Sequence, residues 1–248
     1  MNRRVLGEQI YGHLRLFSAL GVRYAGAARG ERKAPAAPHA PGPSAGAVAR
    51  ETVAGDAAGA QTLEAIRADL GDCRRCALAA TRNRIVFGAG NPHAALMLVG
   101  EAPGAAEDEQ GIPFVGKAGQ LLTRILEAID LGREDVYICN ILKCRPPGNR
   151  NPQPEEIAAC SGFLLRQIAA VRPRVLCTLG AFGVQTLLGT TESIGRLRGR
   201  VIDYGGIELV ATYHPAYLLR NPMEKRKVWD DMRLVRDRLR SPQGPGSR

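Results

Sequence analysis

No apolar run in this 248-residue chain is long enough to span a bilayer, so no membrane partner is expected. Behind the first charges, Arg3 and Arg4, the segment that an export signal keeps apolar is broken by Glu8, His13 and Arg15, which argues against secretion. Without an export signal, six cysteines in a chain of this length suit metal ligation or core thiols better than a disulfide framework. Acidic residues are outnumbered, 24 against 34 Lys and Arg, leaving a net charge of +10 at pH 7. That balance favours a polyanionic partner through counterion release and steering, without identifying it. Aromatic side chains are scarce, at 5% of residues, so a lone phenylalanine in an acidic stretch stands out.

That stretch runs over residues 98–114, L-V-G-E-A-P-G-A-A-E-D-E-Q-G-I-P-F. A short apolar run over residues 95–99 empties into Gly100, Pro103 and Gly104, the pattern of a buried strand ending in a tight loop close to a ligand. Glu101, Glu107, Asp108 and Glu109 crowd the loop ahead of Phe114. Carboxylates beside one flat apolar face suit a planar polar substrate.

Around this stretch the chain divides into four parts. Val5, Leu6, Ile10, Leu14, Phe17 and Leu20 recur at helical spacing, predicting a short helix within residues 1–24. Residues 25–60 turn to Ala, Pro, Gly and Ser, the composition of a disordered linker. A folded domain is expected over 61–241 and a flexible tail over 242–248. Within the domain, helices are expected at 62–70, 117–129, from Pro154 onward, at 182–188 and at 224–239. Strands are expected at 95–99, 136–142 and 174–179, with a hairpin of 201–204 and 207–213 about Gly205-Gly206. The alternation predicts a three-layer α/β/α sandwich with a central, mostly parallel sheet, preceded by the disordered N-terminal extension. Ligands in such folds sit beyond the carboxyl ends of strands. Residues 100–114, Asn140 and His214 all fall at or just past such ends and are expected to share one crevice.

Two phosphate-loop lookalikes fail on a missing residue. In G-I-P-F-V-G-K-A, residues 111–118, Ala118 stands where a nucleotide triphosphatase needs a hydroxyl, and Phe114 and Val115 fill a loop normally made of small residues. Gly88-Ala89-Gly90 starts like a dinucleotide fingerprint, but His93 replaces the third glycine and the segment precedes its strand. Cys73 and Cys76 form C-x-x-C, and Cys144 and Cys160 form a second, more widely spaced pair. Four thiolates suit zinc or an iron-sulfur cluster, and the spacing leaves both open. Cys139 and Cys177 lie inside apolar strand runs and are read as core residues.

Five motifs lie between residues 73 and 217: C-x-x-C, G-E-A-P-G-x-x-E-D, G-x-P-F-V-G-x-A-G-x-L-L, N-I-L-K-C-R-P-P-G-N-R and H-P-A-Y, within a resemblance that spans about residues 63–239. In this combination the chain resembles the family-four uracil-DNA glycosylases, the iron-sulfur branch found in bacteria and archaea. The resemblance implies a monomeric DNA repair enzyme of the cytoplasm and nucleoid. It would hydrolyse the N-glycosidic bond of uracil in single- or double-stranded DNA to leave an abasic site. It also implies that Cys73, Cys76, Cys144 and Cys160 hold a structural 4Fe-4S cluster.

Residue chemistry agrees with these implied roles. A glycosylase must take a base out of its stack and hold it by stacking and by hydrogen bonds to its pairing edge. Phe114 supplies a stacking face, and Ala102 and Pro103 sit beside it in the implied uracil site. The Asn140 amide can donate to uracil O4 and accept from N3–H, a pattern that cytosine violates. Without the motif, Asn140 reads equally as a turn former at a strand end. His214 can donate to uracil O2 as negative charge develops there. Glu101 and Glu107 can favour a cation-like sugar or position water, and Glu107 can wall off the thymine methyl. Ala102 occupies the position where better-known uracil glycosylases place a water-orienting aspartate, so electrostatic stabilisation must supply more of the rate. Asn149 can bind water or DNA; Tyr217, Leu218, Leu219 and Arg220 offer candidates for a wedge into the vacated stack or for core contacts. The basic insertion carrying a histidine in a related, DNA-trapping branch is missing after Asn140, so hydrolytic turnover is expected. Two rivals keep part of this pattern: a glycosylase of the same fold preferring other deaminated bases, and a non-catalytic iron-sulfur DNA-binding protein.

Overall fold

In the computed structural model of the chain, residues 61–241 are described. The expected helix within 1–24, the linker over 25–60 and the tail over 242–248 lie outside the described residues. Six strands form one sheet: β1 (Ala89–Gly90), β2 (Leu96–Gly100), β3 (Tyr137–Asn140), β4 (Val175–Leu179), β5 (Val201–Tyr204) and β6 (Ile207–Thr212). Eight helices accompany them among the described residues: α1 (Leu63–Leu70), α2 (Ala105–Gln110), α3 (Lys117–Glu127), α4 (Pro154–Val171), α5 (Ala181–Leu188), α6 (Ile194–Leu197), α7 (Pro215–Arg220) and α8 (Lys225–Arg240). None is long and apolar enough to cross a membrane.

β2, β3 and β4 are buried at every position, the signature of parallel strands covered on both faces. Alternation then divides each strand between two cores. Leu96 and Leu98 pack with Leu122 and Leu126 of α3 and with Val228 and Met232 of α8. Met97 and Val99 point the other way, toward Leu164 and Ile168 of α4 and Val184 of α5. The result is the expected three-layer sandwich. The strand order is β1-β3-β2-β4-β6-β5; β3, β2, β4 and β6 run parallel, and the edge strands β1 and β5 are antiparallel. β2 is the first parallel strand in the chain, yet it lies between β3 and β4. The chain therefore steps from β2 to β3 on one side and then crosses back past β2 to β4 on the other, a reversal of direction that opens a crevice beyond the carboxyl end of β2.

Two segments differ from expectation. The acidic stretch after β2 is not a continuous loop, because its middle folds into α2. The Gly104 N–H donates to Glu107 Oε2 at 3.1 Å in the first turn, and Gly111, at φ 73°, closes the helix in the left-handed region. Two of its carboxylates are accordingly buried instead of solvated. Asp108, 1% exposed, accepts from the Asn83 backbone N–H at 2.9 Å and from Asn83 Nδ2 at 2.8 Å. The H-P-A-Y segment likewise becomes α7, with His214 capping it and Pro215 at its first position, where a missing N–H costs nothing. This places Leu218, one of the expected DNA-contact candidates, at 1% exposure within the core, whereas Leu219 is 45% exposed.

Asp108 anchors α2 to the strand-leading segment before β1, so Asp108→Ala should remove the buried acceptor shared by the Asn83 backbone and side-chain N–H groups. We expect a loss of about 2–4 kcal/mol in urea unfolding; an unchanged midpoint would show that the anchor is dispensable.

Candidate active site

Segments that follow β2, β3 and β6 line one cavity of about 360 Å³, a volume suited to a small ligand. Its construction begins with Gly100, the last residue of β2, whose strand partner is Asn140 at the end of β3. A Cβ on Gly100 would overlap Asn140 Oδ1 and stand 2.6 Å from Phe114 Cζ. Only glycine lets these two side chains approach each other over the strand end. Asn140 does not itself line the cavity; it is 1% exposed, lies beside Phe114 over Gly100, and its Oδ1 has no hydrogen-bond partner.

Phe114 adopts φ 54°, a left-handed conformation that costs a bulky residue strain. Its peptide is clamped from both sides. Glu107 Oε1 accepts from the N–H groups of Val115 at 2.8 Å and Gly116 at 2.9 Å, while Arg133 donates to the carbonyls of Phe114 at 3.0 Å and Pro113 at 2.7 Å. Gly119 in α3 is bare for the same reason, since the Phe114 carbonyl occupies the space of its absent side chain.

His214 follows β6 and lies across Gly180, the residue after β4, with its Cβ 3.2 Å from where a Gly180 side chain would begin. Its ring centroid is 5.5 Å from that of Phe114. The Ala216 backbone N–H donates to His214 Nδ1 at 3.1 Å, which places the ring proton on Nε2 in the neutral form. Burial, assisted by Arg220 and opposed by Glu107, pushes the imidazole down to about 4. Glu101 lines the same cavity, and burial raises its carboxyl above the usual range.

The uracil DNA glycosylase superfamily model matches residues 87–233. The chain belongs to this superfamily. It is 47% identical over 163 residues to the "Type-4 uracil-DNA glycosylase" of Thermotoga maritima, covering 65% of this chain and 85% of that protein. Identity to the protein of the same name from Archaeoglobus fulgidus is 42% over 183 residues, covering 71% and 92%. A "Type-5 uracil-DNA glycosylase" from Pyrobaculum aerophilum is 35% identical over 147 residues, 52% of this chain and 64% of that one.

In this superfamily member the cavity wall includes Glu101, Ala102, Pro103, Glu107, Phe114, Asn149, His214 and Arg220, each singled out in the sequence. Pro146, Arg150, Asn151, Ala118, Ala216 and Tyr217 also line it and were missed, except that Tyr217 had been weighed as a wedge. The P-P-G-N-R turn was the available signal for the first three: Asn149 sits there at φ 54°, accepting from Arg145 Nε at 2.7 Å, and carries its neighbours to the rim.

The four cysteines gather in one region, near enough to bear on one another's charge. Cys144 and Cys160 are buried, Cys73 and Cys76 partly so. Burial raises the Cys144 thiol to about 11, with Cys160 and Cys76 adding to it, and Cys160 is raised by burial and by Cys76 and Cys73. Arg82 Nη1 reaches Cys144 Sγ at 3.5 Å, and the Lys143 backbone N–H reaches Cys160 Sγ at 3.3 Å. Among the described residues, no group of three His, Cys, Asp or Glu side chains is drawn tightly enough to hold one metal ion. With N–H groups directed at sulfur and the buried Cys144 and Cys160 thiols raised above their ordinary range, the donor set would suit a cationic cluster taking one thiolate at each corner.

The displaced titration of His214 has a measurable consequence. Between pH 6.5 and about 4 the unfolded chain binds a proton at His214 that the folded chain does not, so stability falls as pH is lowered through that window, by on the order of 3 kcal/mol for this group. His214→Gln should remove that part of the acid sensitivity. Urea unfolding of both proteins near neutral pH and near pH 4.5 checks this; equal losses would contradict it.

Proposed function

We propose that this chain excises uracil from DNA by hydrolysing its N-glycosidic bond, with Asn140, Phe114, His214 and Glu101 as the working groups. The uracil-DNA glycosylase activity itself follows the type-4 relatives, which match most of the domain. The observation that carries the residue assignment is the buried, unpartnered Oδ1 of Asn140, which meets Phe114, a residue of the cavity wall, over the bare α-carbon of Gly100. A buried acceptor without a donor is costly, and uracil N3–H supplies that donor while O4 accepts from the same amide. Cytosine, with a bare N3 and an amino group, would leave both mispaired.

As the C1′–N1 bond breaks, its electron pair passes to the base and spreads onto O2. His214 enters this step neutral, with Nδ1 already engaged and Nε2–H free to donate to that oxygen. A neutral donor needs no proton from solvent and is fixed in advance, the condition under which such stabilisation is strongest. Glu101 faces the cationic sugar or its attacking water. Glu107 serves differently, because its two oxygens are committed to the N–H groups of Gly104, Val115 and Gly116; it holds the Phe114 loop beside the base. With Ala102 offering no carboxylate, water activation from that position is absent.

Cys73, Cys76, Cys144 and Cys160 would hold a 4Fe-4S cluster, which when bound supplies a cross-link between distant chain segments. DNA containing uracil is the partner. Arg220, Asn149 and the exposed Leu219 lie on the rim that meets the strand, and Leu219 is better placed than the buried Leu218 to fill the vacated stack.

Single-turnover excision from a labelled uracil oligonucleotide tests the reading. Asn140→Ala and His214→Ala should each slow it by roughly a hundredfold or more. A folded, iron-loaded wild type that releases no uracil would overturn it and favour other deaminated bases as substrates.

A further inference from the structure

Among the fully buried ionisable groups outside the cavity is Lys143, which is 0% exposed. Its position answers a deficiency in the sheet. β1 has two residues and pairs with Tyr137 and Ile138 only, so the outer edge of β3 is uncovered where Asn140 ends it. The Asn140 carbonyl is nevertheless inside the protein and needs a donor. Lys143 turns back to provide one: its Nζ donates to Asn140 O at 2.7 Å and to Gln167 Oε1 in α4 at 2.6 Å. Gln167 Nε2 in turn donates to the Phe87 carbonyl at 2.9 Å and to Tyr137 Oη at 3.1 Å. The ammonium is thus held by a partner that is itself held on two sides.

Filling an uncovered strand edge does not require a full charge, and a buried ammonium without a carboxylate is costly. Lys143 also adjoins the cysteines. Its backbone N–H donates to Cys160 Sγ, its chain neighbour is Cys144, and its charge bears on the Cys139 and Cys160 thiols. One residue therefore touches the asparagine at one end and the four-cysteine site at the other.

We propose that Lys143 is a positioning residue for base selection, fixing the Asn140 peptide from the cysteine side of the fold so that the Asn140 amide is aligned on the pyrimidine edge. This rests on the reading of Asn140 as the group that distinguishes uracil from cytosine. Lys143 touches no substrate; it acts through Asn140.

The test is a double-mutant cycle on the iron-loaded, full-length protein, combining Lys143→Met with Asn140→Ala. The readout is equilibrium binding, by fluorescence anisotropy, of an oligonucleotide carrying a hydrolysis-resistant 2′-fluorinated deoxyuridine, relative to the same oligonucleotide with cytosine. Loss of a charge-assisted hydrogen bond should lower the uracil preference of Lys143→Met by roughly ten- to a hundredfold in the presence of Asn140, and by less than about threefold in the Asn140→Ala background. Equal losses in both backgrounds would overturn the proposal, since a purely structural role acts whether or not Asn140 is present. If Lys143→Met does not fold or loses its iron, Gln167→Leu decides, because it frees the ammonium without altering a neighbour of the cysteines. A reduced uracil preference that depends on Asn140 supports the coupling, and an unchanged preference overturns it. Uracil excision by the wild type separates the two levels: its absence would defeat the reading of the site, whereas excision with an additive cycle would defeat only the role of Lys143.

Discussion

The bare α-carbon of Gly100 is the constraint on which the site depends. Parallel strands buried on both faces bring their ends together at the switch point, but they also crowd them. At the end of β2 the crowding is relieved by leaving out a side chain, and the space is taken by the Asn140 amide and the Phe114 ring. Gly180, at φ 94°, does the same after β4, where His214 passes over it. Two missing side chains thus allow three chemically distinct groups, carried by three separate segments, to gather over the strand ends, with Phe114 and His214 lining the cavity.

The second requirement is to hold Phe114 in a conformation that it would not choose. Glu107 and Arg133 act as opposite halves of one clamp, the carboxylate taking N–H groups on one side of the ring and the guanidinium giving to carbonyls on the other. Strain at a functional residue persists only where its surroundings over-determine it, and this clamp supplies that. It also explains why an acidic stretch can end beside a leaving anion. Asp108 and Glu107 are turned to internal N–H groups, so their charge is largely spent on folding, and Glu101 remains as the carboxylate facing the cavity.

The sequence made the sandwich legible because strand runs such as residues 95–99 and 174–179 are apolar throughout and bounded by glycine or proline, signals that do not depend on tertiary context. The convergence of residues 100–114, Asn140 and His214 was legible from strand ends alone. Elements that depend on long-range partners were not. α2 forms where Asp108 finds donors on Asn83, 25 residues earlier, β1 is two residues long, and α7 makes Leu218 a core residue that spacing alone left beside Leu219 as a surface candidate. Arg133 and Lys143 carry no local signal at all; what they do is set by carbonyls brought to them by the fold.

The most direct test of this account is Gly100→Ala. The added methyl must displace Asn140 or Phe114 while leaving the backbone angles of the strand acceptable. Single-turnover uracil excision should therefore fall by roughly a hundredfold, with iron content retained and the unfolding midpoint little changed. Excision at the wild-type rate by a folded Gly100→Ala protein would contradict the claim that the site is built on the close approach of these two side chains.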